Sequence, residues 1–285
     1  MAEKLPFTDP AYRTPGVHTF ELTTGLTITG ISANTWDDYE QYLHGLTSTG
    51  QKIGDIILSP ELITAAPDPA PDESNQTIMR RAQSRVAAAA EISQDYPDST
   101  LIIGTVIPVQ RAGMFANGAV YIKNGKQLGE TRKMPYSPLE AEFFTQATVS
   151  SVSQPLPGRR NVLPIICSDL LFHRHTTDFK RDALPINKVT GRYSDPINPR
   201  IDTLLVSAYW QIPGVDMGDV VRSDVGSPGG GQGYLNTMQY AARTLFRKYI
   251  GLADIVVVDR VPPEGSLGSH QPIYAPYNAH FRWNQ

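Results

Sequence analysis

Glu61, Lys133 and Cys167 each stand where an apolar segment of the sequence runs out. Glu61 follows DIILSP, Lys133 closes the second arm of a hairpin-like stretch, and Cys167, the single cysteine, follows VLPII. A thiol near its usual pKa of about 8.5 is mostly protonated at neutral pH, so it becomes a nucleophile only with a base in reach or a positive charge nearby. Glu61 can take the proton and Lys133 can favour the thiolate. Attack on an amide-type carbon creates an oxyanion, which the Lys133 ammonium and the backbone N–H of Ser168 can hold. Protonation of a departing amine by Glu61 leaves a thioester, and water activated by the same carboxylate releases the acid. This chemistry requires neither a metal nor an organic cofactor. Each residue also has a plainer reading. A free cysteine usually packs as a small hydrophobe, Glu61 after a proline reads as an exposed strand-end charge, and Lys133 beside Arg132 reads as a solvated basic pair.

The segments that would position these residues alternate between strand and helix. GLTITGISAN reads as a strand, and Asn34 and Thr35 are capping residues for a helix with Asp37 and Asp38 in its first turn. Ile56, Ile57 and Leu58 form a buried strand, and TAAPDPAPDESN is a proline-rich surface loop. From Gln76 to about Tyr96, the stripe of Met79, Ala82, Val86, Ala89 and Ala90 predicts an amphipathic helix, with Arg80, Arg81, Arg85 and Glu91 largely off that stripe and the pair Arg80-Arg81 most simply a solvated face. STLIIGTVIPV follows as a strand, and Asn124-Gly125 in GAVYIKNGKQLGETRK is a two-residue hairpin turn. Ser137-Pro138-Leu139-Glu140 has the spacing of a capping box for a short helix. VLPII before Cys167, IDTLLVSAYW and ADIVVVD are continuous apolar runs, the pattern of strands covered on both faces. Residues 173–200 form a long polar segment, GSPGGGQG at 226–233 reads as a mobile flap without the lysine and Ser/Thr of a phosphate loop, and Leu235, Met238, Ala242, Leu245 and Tyr249 mark another helix. The alternation predicts an α/β layered sandwich.

Composition narrows the class. With 285 residues and 31.3 kDa, the chain suits a single domain over 1–285, with residues 1–24, rich in proline, as an N-terminal arm or short edge strand and regular order beginning at Gly25. The stretch after SLGSHQPIYAPY leaves little for a closing strand. A formal charge of -3 and a pI near 6.1 provide no basic footprint for nucleic acid. One cysteine, and an opening MAEKLPFTDP without the apolar core of a signal peptide, predict a cytoplasmic setting. No apolar run approaches the ~20 residues needed to span a bilayer, so no membrane role is expected.

In order, and with SPEL, TRKMP and ICSDLLF around them, the three chemical residues resemble the carbon-nitrogen hydrolase (nitrilase) superfamily, over roughly Gly25 to Asp259. The resemblance implies a four-layer α-β-β-α sandwich and pairing into a homodimer or higher homo-oligomer. It also implies hydrolysis of a non-peptide carbon-nitrogen bond, in an amide, carbamoyl group or nitrile of a small soluble substrate. Cys167 matches the family's nucleophile, Glu61 its general base and Lys133 its stabilising cation. Glu140 matches a further glutamate that hydrogen-bonds the lysine, a role weighed equally with the capping box; Glu142 is next in line, and Asp169 supports the cysteine loop. Tyr136, Tyr209 and Trp210 are candidate pocket walls, with core packing the alternative for Tyr209 and Trp210. Ser168, Phe172-His173 and the polar 173–200 segment depart from the family's usual pattern, which marks a divergent member and favours an amidase over a nitrilase. The alternative is a non-catalytic binding or assembly protein on the same fold. His173, His175 and Asp178 lack a third spaced ligand and make a poor metal site.

Overall fold

The computed structural model describes residues 7–12, 16–48, 50, 52–66, 72–109, 115–133, 155–166, 201–209, 251–260 and 278–282, and for 7–12 only the course of the backbone. They form two sheets. The first has six strands in the order β2-β3-β4-β5-β6-β7, comprising Gly16–Glu21, Thr27–Ser32, Ile56–Leu58, Thr100–Pro108, Phe115–Lys123 and Lys126–Arg132. The second has five, in the order β1-β11-β10-β9-β8, comprising Phe7–Tyr12, Asn278–Arg282, Asp254–Asp259, Thr203–Ala208 and Val162–Ile166. Within the first sheet β3, β4 and β5 run parallel, and within the second β8, β9 and β10 do. Both parallel cores therefore present a set of carboxyl ends, where grafted chemistry is usually found.

Helices α1 (Trp36–Ser48) and α2 (Asn75–Ile92) cover one face of the six-stranded sheet. Thr35 caps α1 as the sequence suggests: its hydroxyl accepts the Asp38 N–H at 3.1 Å, and Asp38 in return accepts the Thr35 N–H at 3.3 Å. Ser74 caps α2 through the Thr77 N–H at 3.2 Å. The two-residue period of the strands sorts their side chains. Ile57, Leu101, Ile103, Val120 and Ile122 meet Trp36, Tyr39, Leu43 and Leu46 beneath the helices, while Ile56, Leu58, Ile102, Ala119 and Tyr121 face the second sheet. There they join Phe20, Ile28, Val256 and Val258 in the core between the sheets. On the five-stranded sheet Leu163, Ile165, Val206, Ile255 and Val257 are buried as well, as expected of a sheet covered on both faces. The layers formed by the described residues are α-β-β, in the order the sandwich expectation requires.

Polar contacts lock the two sheets in register. Asp254 of β10 accepts from the Thr23 N–H at 3.0 Å and the Thr23 hydroxyl at 3.1 Å in the β2–β3 turn, and also pairs with His280 of β11 at 2.8 Å. Asn278 of β11 donates to the Ser32 hydroxyl of β3 at 3.0 Å.

Three expectations change. Regular order starts before Gly25, because β1 and β2 are edge strands of different sheets. The stretch near the C-terminus does supply a strand, β11, inserted between β1 and β10. The predicted helix to Tyr96 ends at Ile92 and tightens into a 3₁₀ turn over Ser93–Asp95. The hairpin is as predicted: Asn124 and Gly125 both take positive φ, 47° and 76°, which matches the right-handed twist of β6 and β7. The expected helices after Ser137 and around Leu235–Tyr249, the polar 173–200 segment and the glycine-rich stretch lie outside the described residues.

Candidate active site

Beyond β4 the chain turns through Ser59, Pro60, Glu61 and Leu62 into a 3₁₀ turn, Ile63–Ala65, and this turn is held from every side. From β5, Ile102 accepts the Ser59 N–H at 3.0 Å, and the Gly104 N–H donates to the Ser59 hydroxyl at 2.8 Å. A Cβ on Gly104 would lie 2.1 Å from the Pro60 carbonyl oxygen and 2.9 Å from the Glu61 Cα. Only glycine lets β5 approach this closely. Thr105 and Thr64 bond through their hydroxyls at 2.6 Å. From α2, Arg85 donates to the Thr64 carbonyl at 2.9 Å and also to that of Ala66, while Arg81 reaches the Ala65 carbonyl at 3.0 Å and Glu73 at 2.6 Å. These arginines, read from sequence as lying off the apolar stripe, and Arg81 as part of a solvated pair, are clamps. Burial, and then the charge of Arg81, lower the Arg85 pKa from its ordinary value. Leu62, immediately after Glu61, is held at φ 55° in the left-handed region, a cost of about 1 kcal/mol or more that the surrounding bonds sustain.

Held in this way, Glu61 is 2% exposed and Lys133 5%, so neither is the solvated charge of the plainer reading. Their side chains meet at 2.8 Å, Lys133 Nζ donating to Glu61 Oε1, from positions 72 residues apart. Lys133 reaches this point because β7 runs antiparallel to β6 and ends beside it, with the Lys133 N–H on the Asn117 carbonyl at 2.8 Å. Asn117 itself donates from Nδ2 to Glu61 Oε1. One carboxylate oxygen thus accepts two donors, while Glu61 Oε2 and Asn117 Oδ1 are buried and have no hydrogen-bond donor among the described residues.

The second sheet closes the arrangement. The Glu61 N–H donates across the sandwich to the Ala208 carbonyl at the end of β9, at 3.2 Å, and the Arg260 N–H donates to the same carbonyl at 3.0 Å. Strand β8 lies parallel to β9 with Ile166 opposite Ser207. The end of β8 therefore stands beside the strand end that Glu61 touches, and the next residue in the chain is Cys167. Tyr209 is buried at 6%, with the Arg260 guanidinium 4.4 Å over its ring and Arg260 Nε bonded to the Asn34 carbonyl at 3.1 Å. Its surroundings are those of a packed residue.

Of the residues singled out in sequence, the structure brings Glu61 and Lys133 into contact and places Tyr209 directly after the end of β9, the strand beside β8. Cys167, Ser168, Glu140, Glu142, Asp169, Tyr136 and Trp210 lie outside the described residues, as do His173, His175 and Asp178. Asn117 was missed, although an asparagine inside FANGAVYIK, where strands are depleted in that residue, was a usable signal. Arg85 and Gly104 carried no local signal, since their partners are distant in sequence. Among the described residues no group of three or more His, Cys, Asp or Glu could hold a metal ion, and no helix is long and apolar enough to cross a membrane.

No protein-family model matches the chain, and no curated protein is recognisably similar to it in sequence. Solved structures do match. A carbon-nitrogen hydrolase from Helicobacter pylori G27 superposes with a TM-score of 0.55 at 13% identity, over 85% of this chain and 73% of that one. A variant of the amidase from Nesterenkonia sp. AN1, solved with the acetamide moiety of fluoroacetamide covalently added at its active site cysteine, gives 0.52 at 13% identity over 90% and 89%. The glutamine-dependent NAD+ synthetase from Acinetobacter baumannii gives 0.52 at 19% identity over 81% of this chain, which spans only 37% of the synthetase. The fold is therefore the α/β sandwich of the nitrilase type.

Proposed function

We propose that this chain, with the nitrilase-type fold as its premise, is a divergent carbon-nitrogen hydrolase, an amidase-like enzyme that cleaves the amide or carbamoyl bond of a small soluble substrate through a thioester on Cys167. The observation that carries the reading is the buried Glu61–Lys133 pair at 2.8 Å, set against the strand end next to Ile166. Burying a charge pair without using it is costly, since desolvation commonly cancels the Coulomb gain. A catalytic centre gives that cost a purpose. In the proposed reaction Glu61 takes the thiol proton and the sulfur attacks the carbonyl carbon. The oxyanion forms against the Lys133 ammonium and the Ser168 N–H. The C–N bond then breaks, its electron pair leaving on nitrogen together with the proton returned by Glu61, and water hydrolyses the thioester. Glu140 beside Lys133, pocket walls from Tyr136 and Trp210, a homo-oligomeric state and a cytoplasmic setting belong to the same proposal.

The test is release of ammonia from propionamide, phenylacetamide and their N-carbamoyl counterparts by wild type and by Cys167→Ala. Turnover lost in the variant supports the mechanism, and turnover retained in full refutes it. A non-catalytic protein on this fold would show no turnover, and a thiol alkylated no faster than free cysteine.

A further inference from the structure

We propose that Asn117 makes the site selective for a nitrogen that carries hydrogen, so that its substrates are amides or carbamoyl compounds and not nitriles. The inference rests on the hydrolase reading and adds a specificity-determining residue to it.

Asn117 is 3% exposed, on β6 next to Lys133. Its Nδ2 donates to Glu61 Oε1, the same oxygen that takes the Lys133 ammonium at 2.8 Å. A carboxylate in this pairing accepts only, which turns the amide's NH2 toward Glu61 and leaves its carbonyl oxygen on the other side. Two consequences follow. Oε1 is occupied by two donors, so Oε2 is the oxygen that carries the proton from thiol to leaving nitrogen. Asn117 Oδ1, buried and with no donor among the described residues, is a second acceptor one side chain away. An orphaned buried acceptor is costly unless a ligand satisfies it.

The group that satisfies it carries N–H. An amide nitrogen places one hydrogen on Asn117 Oδ1 and, once the tetrahedral intermediate has formed, turns its lone pair to the Oε2 proton. The C–N bond breaks with its electron pair on nitrogen, which departs with its own hydrogens and the one from Glu61. A nitrile nitrogen has no hydrogen and leaves Asn117 Oδ1 unsatisfied. Sites that hydrogen-bond a substrate group discriminate strongly against analogues lacking it.

The test uses the single cysteine of the full chain. Iodoacetamide and iodoacetonitrile both alkylate a thiolate, one presenting CONH2 and the other C≡N, and intact mass reports Cys167 alone. The ratio of their rates is measured for wild type and Asn117 variants, with glutathione as the free-thiol reference, alongside ammonia release from propionamide. Wild type is expected to favour iodoacetamide about tenfold more than glutathione does, the worth of one good hydrogen bond. Asn117→Ala should bring the ratio back to that of glutathione; loss of its donor to Glu61 changes thiol activation for both reagents alike and cancels in the ratio. Asn117→Leu replaces Asn117→Ala if the latter does not fold. A purely structural role slows both reagents together and leaves the ratio unmoved; that result, or a wild-type ratio equal to that of glutathione, overturns the inference while propionamide hydrolysis leaves the hydrolase reading standing. No hydrolysis with an ordinary thiol overturns both.

Discussion

Replacing Lys133 by methionine removes the cation and keeps much of the volume, which isolates the ion pair from packing. The side chains of Lys133 and Glu61 are 5% and 3% exposed, so water cannot take the place of the lost partner. Breaking a buried pair from one side typically costs about 3–5 kcal/mol, against about 0–1 for a solvated pair. The Asn117 side-chain Nδ2–H stays on Glu61 Oε1 and offsets about 1 kcal/mol of that. The expected loss is therefore about 3 kcal/mol, a large part of the 5–15 kcal/mol of an ordinary domain. Glu61→Gln should also destabilise the fold, because it removes the carboxylate charge that the Lys133 ammonium meets at 2.8 Å. Glu61→Gln combined with Lys133→Met leaves neither charge buried, so the double variant should be more stable than the sum of the single losses by about 2 kcal/mol or more. The assay is urea unfolding of all four proteins, read from the midpoint at unchanged slope. A single-variant cost under about 1 kcal/mol with no coupling would refute the reasoning, since it would mean that the pair is solvated and cannot work as a desolvated acid-base centre.

Gly104→Ala puts a methyl group 2.1 Å from the Pro60 carbonyl oxygen and 2.9 Å from the Glu61 Cα; backbone cannot yield as a side chain end does, so stability should fall by about 1–3 kcal/mol. Amide turnover should fall by about 100-fold as Glu61 shifts, whereas turnover equal to wild type would show that the turn tolerates displacement. Burial, and secondarily Tyr96, raise the Tyr39 pKa above its ordinary value. Below about pH 10 the phenol is neutral in both states and its contribution is complete; above that, the unfolded chain releases the proton and the folded one keeps it, so stability falls by up to about 1.4 kcal/mol per pH unit. Tyr39→Phe should flatten that alkaline decline in melting scans from pH 9 to 11. Since the Tyr39 hydroxyl has no hydrogen-bond partner among the described residues, the substitution should cost nothing at pH 7.

The elements flanking the site were legible because their signals are local. Ile56–Leu58, Thr100–Pro108, Val162–Ile166, Thr203–Ala208 and Asp254–Asp259 are apolar runs that no solvated structure would tolerate. Thr35 and Asp38 cap a helix whether or not anything packs on it, and Asn124-Gly125 suits one turn. The helix over Trp36–Ser48 was readable for the same reason, from its cap and the two aspartates of its first turn. Strands β1, β2 and β11 were less so. They are short and contain polar residues or proline, and they exist because neighbouring strands supply their hydrogen bonds.

By itself, then, the sequence determined which residue types stand at the ends of which strands, since periodicity, turns and caps are properties of neighbouring residues. Only the tertiary structure decided that Glu61 and Lys133 are buried and bonded, that Asn117 shares the same carboxylate oxygen, and that Arg85 and Gly104 hold the turn that carries Glu61. Those outcomes depend on the register of β5 with β6, of β6 with β7, and on one sheet meeting the other at Ala208. The Asn124-Gly125 turn sets the β6–β7 pairing nearest to it, but the approach of β5 to β6 and of one sheet to the other is a sum of weak contacts between residues distant in sequence.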